Sequence, residues 1–290
     1  MAKPVGRQRA TLSIIIPTLN EENHVGGLLE CLAGQSYRNW EAVIVDGDSR
    51  DKTANIVRQF AKSHKNVKLV VEKKHSVGRA RNVGAKHASG EYLLFLDADT
   101  LFKKNFLSRC MSEFDERFLD IATVCFEPLS KRVLHKLYID GENTLVKIGQ
   151  YIAPAAQGVC IFVTKRLFSR VGGFDRTIWL GEDVNFVERA SKLGKFRVMK
   201  SAKIKVSMRR LDKEGIRKLL AKYLLCNIYR AFIGEVRTDI FNYQFGDYGH
   251  KKKEKELQKI LKKLNREFIG KHMKTVSSLI RKLNVPVKRF

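Results

Sequence analysis

Two carboxylates one residue apart, Asp97 and Asp99, close a short apolar run, Tyr92 to Leu96, in the stretch EYLLFLDADT at Glu91 to Thr100. Five consecutive apolar residues read as a strand buried on both faces, as in a parallel sheet covered by helices. The acids then leave its carboxyl end, the end where ligands bind in open α/β sheets, and two oxygen donors there can hold a divalent cation with the phosphates it carries. Asp99 before Thr100 also suits a helix cap, and from this stretch alone both readings stand.

The elements that must position such a pair follow from the apolar periodicity. Strands are expected at Leu12 to Ile16, Glu41 to Val45, Val67 to Val71 and Tyr92 to Leu96, with helices between them running to about Ala33, over Lys52 to Ser63 and over Gly78 to Ala85. Pro17 is expected to end the first strand and Asn20-Glu21-Glu22 to open the first helix. Crossovers of this length give a doubly wound, mostly parallel sheet with every carboxyl end on one rim. Three of those ends carry polar clusters: Thr18 to Glu21, Asp46 to Ser49, and Asp97 to Asp99.

Beyond Asn105 the pattern predicts a helix to Arg117, strands at Ile121 to Phe126 and Gly158 to Val163, and a helix over Lys131 to Tyr151. A turn follows at Arg170 to Asp175, a helix begins at Glu182, and Phe196 to Met199 and Ile204 to Val206 read as short edge strands. Asp212 to Val236 reads as helix. Glu254 to Leu283 reads as an amphipathic helix, with lysines and arginines between its apolar residues.

Composition narrows the partners. The 290 residues carry 56 Lys+Arg against 30 Asp+Glu, a net charge of +26 and a pI near 10.0. The first hundred residues contribute only +4, whereas the last forty contribute +11. Such an excess implies a negatively charged partner, and its position points to an appended basic surface. The five cysteines form no CxxC and read as reduced, packed thiols of a cytosolic protein. The seven histidines show no metal-ligand spacing. Neither a signal peptide nor a membrane-spanning helix is expected.

Four stretches in order resemble inverting glycosyltransferases of family 2, which have the GT-A fold. They are SIIIPTLNEE at Ser13 to Glu22, VDGDSRDKT at Val45 to Thr53, GRARNVGAKHASGEYLLFLDADT at Gly78 to Thr100, and GGFDRTIWLGED at Gly172 to Asp183. The resemblance covers roughly residues 13–210 and implies a catalytic domain over 1–210 with a basic helical extension over 211–290. It implies that Pro17, Thr18, Leu19 and Glu21, with the Asp46 to Ser49 turn, meet the base and ribose. Many members have two adjacent aspartates where this chain has Asp46-Gly47-Asp48, so the choice between those two acids stays open.

By the same resemblance, Asp97, Ala98 and Asp99 are a DxD motif holding Mg2+ or Mn2+ against the donor diphosphate. Glu182-Asp183 matches the catalytic base motif, with a helix cap beside Gly181 as the plain structural alternative. Arg79 and Arg81 fall where nucleotide contact is implied. Two apart on a helix, they cannot share a face. Arg79 is expected to meet the ligand and Arg81 to be solvated or paired with an acid. A Gln-x-x-Arg-Trp motif is absent at Arg209-Arg210, which disfavours a processive synthase.

The expected activity is metal-dependent, inverting transfer of a sugar from a UDP- or GDP-sugar to an acceptor. A polyprenyl phosphate, or another lipid or glycan at the cytoplasmic face of a membrane, fits the basic half of the chain. The Glu254 to Leu283 helix would either bind an anionic membrane peripherally or pack on the domain. Two other classes remain alternatives: a nucleotidyltransferase of similar fold, and a non-catalytic nucleic-acid binder. The second lacks aromatic-interleaved basic motifs and leaves three acidic rims unexplained.

Overall fold

The computed structural model describes residues 11–73 and 76–240. The apolar runs become β1 (Leu12–Thr18), β2 (Trp40–Asp46), β3 (Val67–Val71) and β4 (Tyr92–Leu96), separated by α1 (Val25–Ala33), α2 (Thr53–Ser63) and α3 (Val77–His87). These four strands pair in parallel, so their carboxyl ends share one rim. The chain continues through β5 (Thr100–Leu101), α4 (Phe106–Glu116), β6 (Ile121–Pro128), α5 (Val133–Gly149), β7 (Cys160–Thr164), α6 (Lys165–Val171), α7 (Glu182–Ser191), β8 (Phe196–Val206), α8 (Arg209–Glu214) and α9 (Ile216–Phe232).

All eight strands form one mixed, mostly parallel sheet in the order β3-β2-β1-β4-β7-β6-β8-β5. Because β7 runs antiparallel to both β4 and β6, its amino end, beginning near Gly158, reaches the rim where β1, β2, β4 and β6 end. Side chains alternate along each strand, and the core divides accordingly. Ile14, Ile16, Ile44, Leu94 and Leu96 face α1 and α4, while Ile15, Leu93, Phe95, Ile161 and Val163 face residues of α3, α6 and α7. α3 lies close to the sheet because Gly84 leaves room: a Cβ there would stand 2.4 Å from Ile15 Cγ2.

Several expectations change. β1 does not stop at Pro17; it runs to Thr18, with Pro17 opposite Val45. The Thr18 carbonyl bonds Gly47 N on the β2 side, so the Pro17 nitrogen faces the β4 side. The ladder with β4 ends at Ile15, and the missing N–H costs no strand bond. α1 starts at Val25 rather than at Asn20, because Asn20, Glu21 and Glu22 bond the neighbouring turn. The two short edge strands are one eleven-residue strand, β8, flanked by β6 and β5, with a register shift opposite Val124/Cys125. The helical stretch after Arg210 is broken at Gly215, which has φ 79°. α6, capped by the Thr164 hydroxyl, was not anticipated.

α8 and α9 pack on the sheet unit. Leu211 and Leu219 join the main core, and Cys226 packs with Leu180, Val236 and Ile240. The Glu254 to Leu283 helix lies outside the described residues.

Candidate active site

The first two rims are clasped together by their own polar groups. Gly47 N donates to the Thr18 carbonyl at 2.8 Å, Glu21 N to Thr53 Oγ1 at 2.8 Å, and Glu22 N to Asp51 Oδ2 at 3.0 Å. Asp46 is buried and accepts from Thr18 Oγ1 at 3.2 Å, Ser49 Oγ at 2.6 Å and Ser49 N at 3.0 Å. It therefore shapes the turn as an Asx-type anchor. Asp48 follows with φ 63° and points to solvent. Gly47, between them, is the turn residue that borders the adjacent cleft.

That cleft, about 790 Å3 in volume, follows the rim of the sheet. Pro17, Thr18, Leu19 and Glu21 line it from β1 and the loop after it, Asp97, Ala98 and Asp99 from the end of β4, and Glu182 and Asp183 from the start of α7. Asp46, Asp48 and Arg79 do not line it, unlike the other candidate residues. Arg81 is paired with acids, as expected, but it and not Arg79 is the arginine that borders the cleft. Arg79 is partly exposed and pairs with Glu72 at 3.1 Å, whereas Arg81 is 3% exposed and borders the cleft. The reason lies in the helix: α3 presses its Ala80, Gly84 and Ala85 face to the sheet, and Arg81, one position on from Ala80, reaches toward the β4 rim.

Arg81 ties three parts of the chain together. Nη1 donates to Glu182 Oε1 at 2.8 Å, and Nη2 donates to Asp97 Oδ1 at 3.2 Å and to the Gly158 carbonyl at 3.1 Å. Its guanidinium also lies over the Phe174 ring, 5.3 Å from the centroid. Gly158 is required for this contact, because a Cβ there would stand 2.1 Å from Nη2. Burial would lower the Arg81 pKa, but Asp97, Glu182 and Asp183 together raise it, so the charge is permanent.

Glu182 and Asp183 occupy the first turn of α7, where the helix dipole favours acids, and Gly181 at φ 86° aims them. Burial, then the charge of Asp183, pushes the Glu182 carboxyl up to about 7, against the pull of Arg81. Asp183 Oδ2 accepts from Gly158 N at 2.6 Å and Oδ1 accepts from Val184 N at 2.8 Å. Both acids are thus held rigidly, Glu182 by a charge and Asp183 by backbone.

Arg209, at the start of α8, donates to Glu21 Oε1 at 2.5 Å and Oε2 at 2.9 Å, and its Nη2 lies 3.2 Å from Asp99 Oδ2. Burial pushes the Asp99 carboxyl up to about 6, with Arg209 opposing and Asp97 and Glu21 adding. The far end of the cleft was missed altogether. It is lined by Tyr138, Glu142 and Leu145 of α5 and by Tyr223, Asn227 and Arg230 of α9. Only their mixed polarity within otherwise amphipathic helices was a signal, and it carries no address.

Among the described residues, no group of three or more His, Cys, Asp or Glu forms a metal cage. The donor set fits a different case, in which a hard dication shares one or two carboxylates with substrate phosphates. Asp97 and Asp99 supply such oxygens from one strand end. Asp97 and Glu21 add negative charge beside the partly buried Asp99, which Arg209 offsets in part and a cation would offset further.

The sequence profile described as Glycosyl transferase family 2 matches residues 13–172, more than half of the chain. Glycosyltransferase AglE of Haloferax volcanii is 29% identical over 188 residues, 63% of this chain and 62% of its own length. A Methanococcus voltae enzyme named dolichyl N-acetyl-alpha-D-glucosaminyl phosphate 3-beta-D-2,3-diacetamido-2,3-dideoxy-beta-D-glucuronosyltransferase is 36% identical over 100 residues, 33% of this chain and 31% of its own. This chain therefore spans less than two thirds of the length of either relative.

In fold, the chain matches mannosyltransferase PcManGT from Pyrobaculum calidifontis, solved with GDP-Man and Mn2+. The TM-score is 0.63 and identity 21%, covering 78% of this chain and 65% of that one. It also matches Staphylococcus aureus TarS 1-349 with UDP-GlcNAc, at TM-score 0.59 and 22% identity, covering 88% of this chain and 80% of that one. Sheet order, the acid-bearing rim and the profile match converge: the fold is of the GT-A type, and the chain belongs to glycosyl transferase family 2.

Proposed function

We propose that this protein is a metal-dependent inverting glycosyltransferase that moves a sugar from a UDP- or GDP-sugar to a phosphorylated lipid or glycan acceptor. The observation that carries the reading is the convergence of Asp97, Asp99, Glu182, Asp183, Arg81 and Arg209 on one cleft of about 790 Å3, a size that suits a nucleotide sugar. The nucleotide would lie against Pro17 to Glu21 and the turn at Gly47. Its diphosphate would reach Asp97 and Asp99, which would hold Mg2+ or Mn2+. When bound, that ion neutralises charge building on the departing nucleoside diphosphate.

The remaining steps belong to the chain's own side chains. Asp183 takes the proton of the acceptor hydroxyl from the face opposite the leaving group. Gly158 N and Val184 N orient its carboxylate for that contact. Arg81 bridges Glu182 and Asp97, and Arg209, which pairs with Glu21 and lies beside Asp99, would meet the incoming phosphates. An acceptor that is itself a phosphate is already anionic, and Asp183 would then orient rather than deprotonate it. The support for nucleotide-sugar chemistry includes the GDP-Man, Mn2+ and UDP-GlcNAc of the similar structures, and the dolichyl phosphate in the name of one relative supports a lipid-linked acceptor.

The catalytic unit would comprise residues 1–210 and the basic extension 211–290, working peripherally at the cytoplasmic face of a membrane. Among the described residues no helix is long and apolar enough to cross a membrane. The test is a thermal shift with UDP or GDP and Mn2+. Stabilisation that vanishes with a chelator or in Asp97→Ala supports the reading, and indifference to both nucleotides sinks it. Products then separate the neighbouring chemistry, because release of pyrophosphate rather than nucleoside diphosphate would identify a nucleotidyltransferase.

A further inference from the structure

α5 carries two apolar faces. One packs inward through His135 and Ile139. The other looks outward: Leu134, Leu137, Leu145, Ile148 and, just past the helix end, Ile152 fall in one row, and Leu137 is 64% exposed, Ile148 60% and Ile152 83%. A helix on a water-facing surface would carry polar residues there. α9 repeats the arrangement, with Leu220, Leu224, Ile228 and Phe232 at four-residue spacing and Leu224 62% exposed.

Both helices line the same cleft. Leu145 belongs to the outward row of α5 and also lines the cleft. On α9 the cleft is lined by Leu219, Tyr223 and Cys226, and the outward row starts one residue later, about 100° around the helix. α5 is tied at its base to α8, the short helix before α9: Asp212 accepts from Arg132 at 2.6 Å and lies 3.1 Å from His135 Nε2. The borders of the rows are mostly basic. Lys131, Lys136 and Lys147 stand exposed beside one, where Asp140 is the one exposed acid of α5; Arg217 and Lys218 stand beside the other, and α9 has no acidic residue. An apolar stripe edged by lysine and arginine is the composition that settles into an anionic bilayer interface.

We infer that the outward faces of α5 and α9 are a membrane-docking surface for an anionic bilayer, beside the cleft that both helices also line. The chain's own last forty residues carry a net +11, and a second copy would bring the same basic border, so both meet like charge where anionic headgroups meet opposite charge. The surface deepens the proposed function, because it delivers a lipid-borne acceptor to Asp183 by way of Tyr223 and Glu142; the docking itself does not depend on that activity.

The test uses the full chain with single tryptophan reporters, Leu137→Trp and Leu224→Trp, against the background of Trp40 and Trp179. Phe118→Trp is the control, exposed on the opposite edge of the sheet before β6. Vesicles of phosphatidylcholine with phosphatidylglycerol, brominated on their acyl chains, should quench the reporters at 137 and 224 and spare the one at 118. Pure phosphatidylcholine should quench none strongly. The combined Leu137→Ser, Ile148→Ser, Leu224→Ser and Ile228→Ser variant should float with anionic vesicles about tenfold less well. It should keep the nucleotide-dependent thermal shift of the unmodified chain. Flotation without quenching at 137 and 224 would assign binding to the basic tail and overturn the inference. Protection of those reporters from iodide before vesicles are added would overturn it too, by showing the tail or a second copy on the surface. If the unmodified chain shows no shift with UDP or GDP and Mn2+, the transferase reading fails while the docking result stands or falls on its own.

Discussion

At the scale of single residues, the site is organised by a buried positive charge. Arg81 is 3% exposed and pairs with Glu182 and Asp97, and removing it strands the buried Glu182 carboxyl beside Asp97. Arg81→Met should therefore cost about 3–5 kcal/mol, because breaking a buried ion network strands its partners. Urea denaturation reads the loss directly, and an unchanged midpoint would contradict the network. Asp183→Asn tests the acceptor chemistry. With a hydroxyl acceptor, kcat should fall by about 10²–10⁴ while the thermal shift with nucleotide is kept. A loss below about tenfold would instead identify an acceptor that needs no general base.

At the scale of elements, the close seat of α3 on β1 decides where Arg81 points. Gly84→Ala would place its Cβ 2.4 Å from Ile15 Cγ2 and 3.1 Å from Val45 Cγ2. The helix-propensity gain of about 1 kcal/mol is outweighed by overpacking of about 1–3 kcal/mol. A lower midpoint in thermal or urea unfolding is the expected result; a stabilised variant would show that α3 can lift freely. A second joint ties β2 to its neighbours. Burial alone would raise the Glu41 carboxyl, but hydrogen bonds from Lys68, Ser89 and Ser13 outweigh it and bring it down to about 2. The folded state thus binds its proton less readily than the unfolded chain. The stability Glu41 contributes is present above about pH 4.5 and is lost as pH falls toward 2, by on the order of 2–3 kcal/mol. Unfolding curves of Glu41→Gln should show a shallower acid loss across that window, and an identical slope would refute the assignment.

At the scale of the whole molecule, a net charge of +26 acts over distances longer than any one contact. It should draw in a nucleotide or an anionic surface and weaken with salt, since the screening length shrinks from about 10 Å at 0.1 M to about 3 Å at 1 M. Nucleotide affinity measured by titration calorimetry should fall as sodium chloride rises through that range. Affinity independent of salt would confine the electrostatics to the buried pairs.

The amino-acid sequence by itself determined the strand and helix order through β4, the shared acidic rim and the family, because apolar runs and motif order are local properties that survive without coordinates. It did not settle which arginine enters the cleft, since two residues on one helix differ only in the face they present, and Gly84 with Ala80 sets that face through packing on β1. Pro17 inside a strand was illegible for a similar reason: its fitness depends on where the β4 ladder ends. Arg209 reaches Glu21 and Asp99 from 188 and 110 positions away in the chain. Only the tertiary structure brings those charges, α5 and α9, and Gly158 to one cleft, because nothing in sequence spacing encodes contacts made across a sheet.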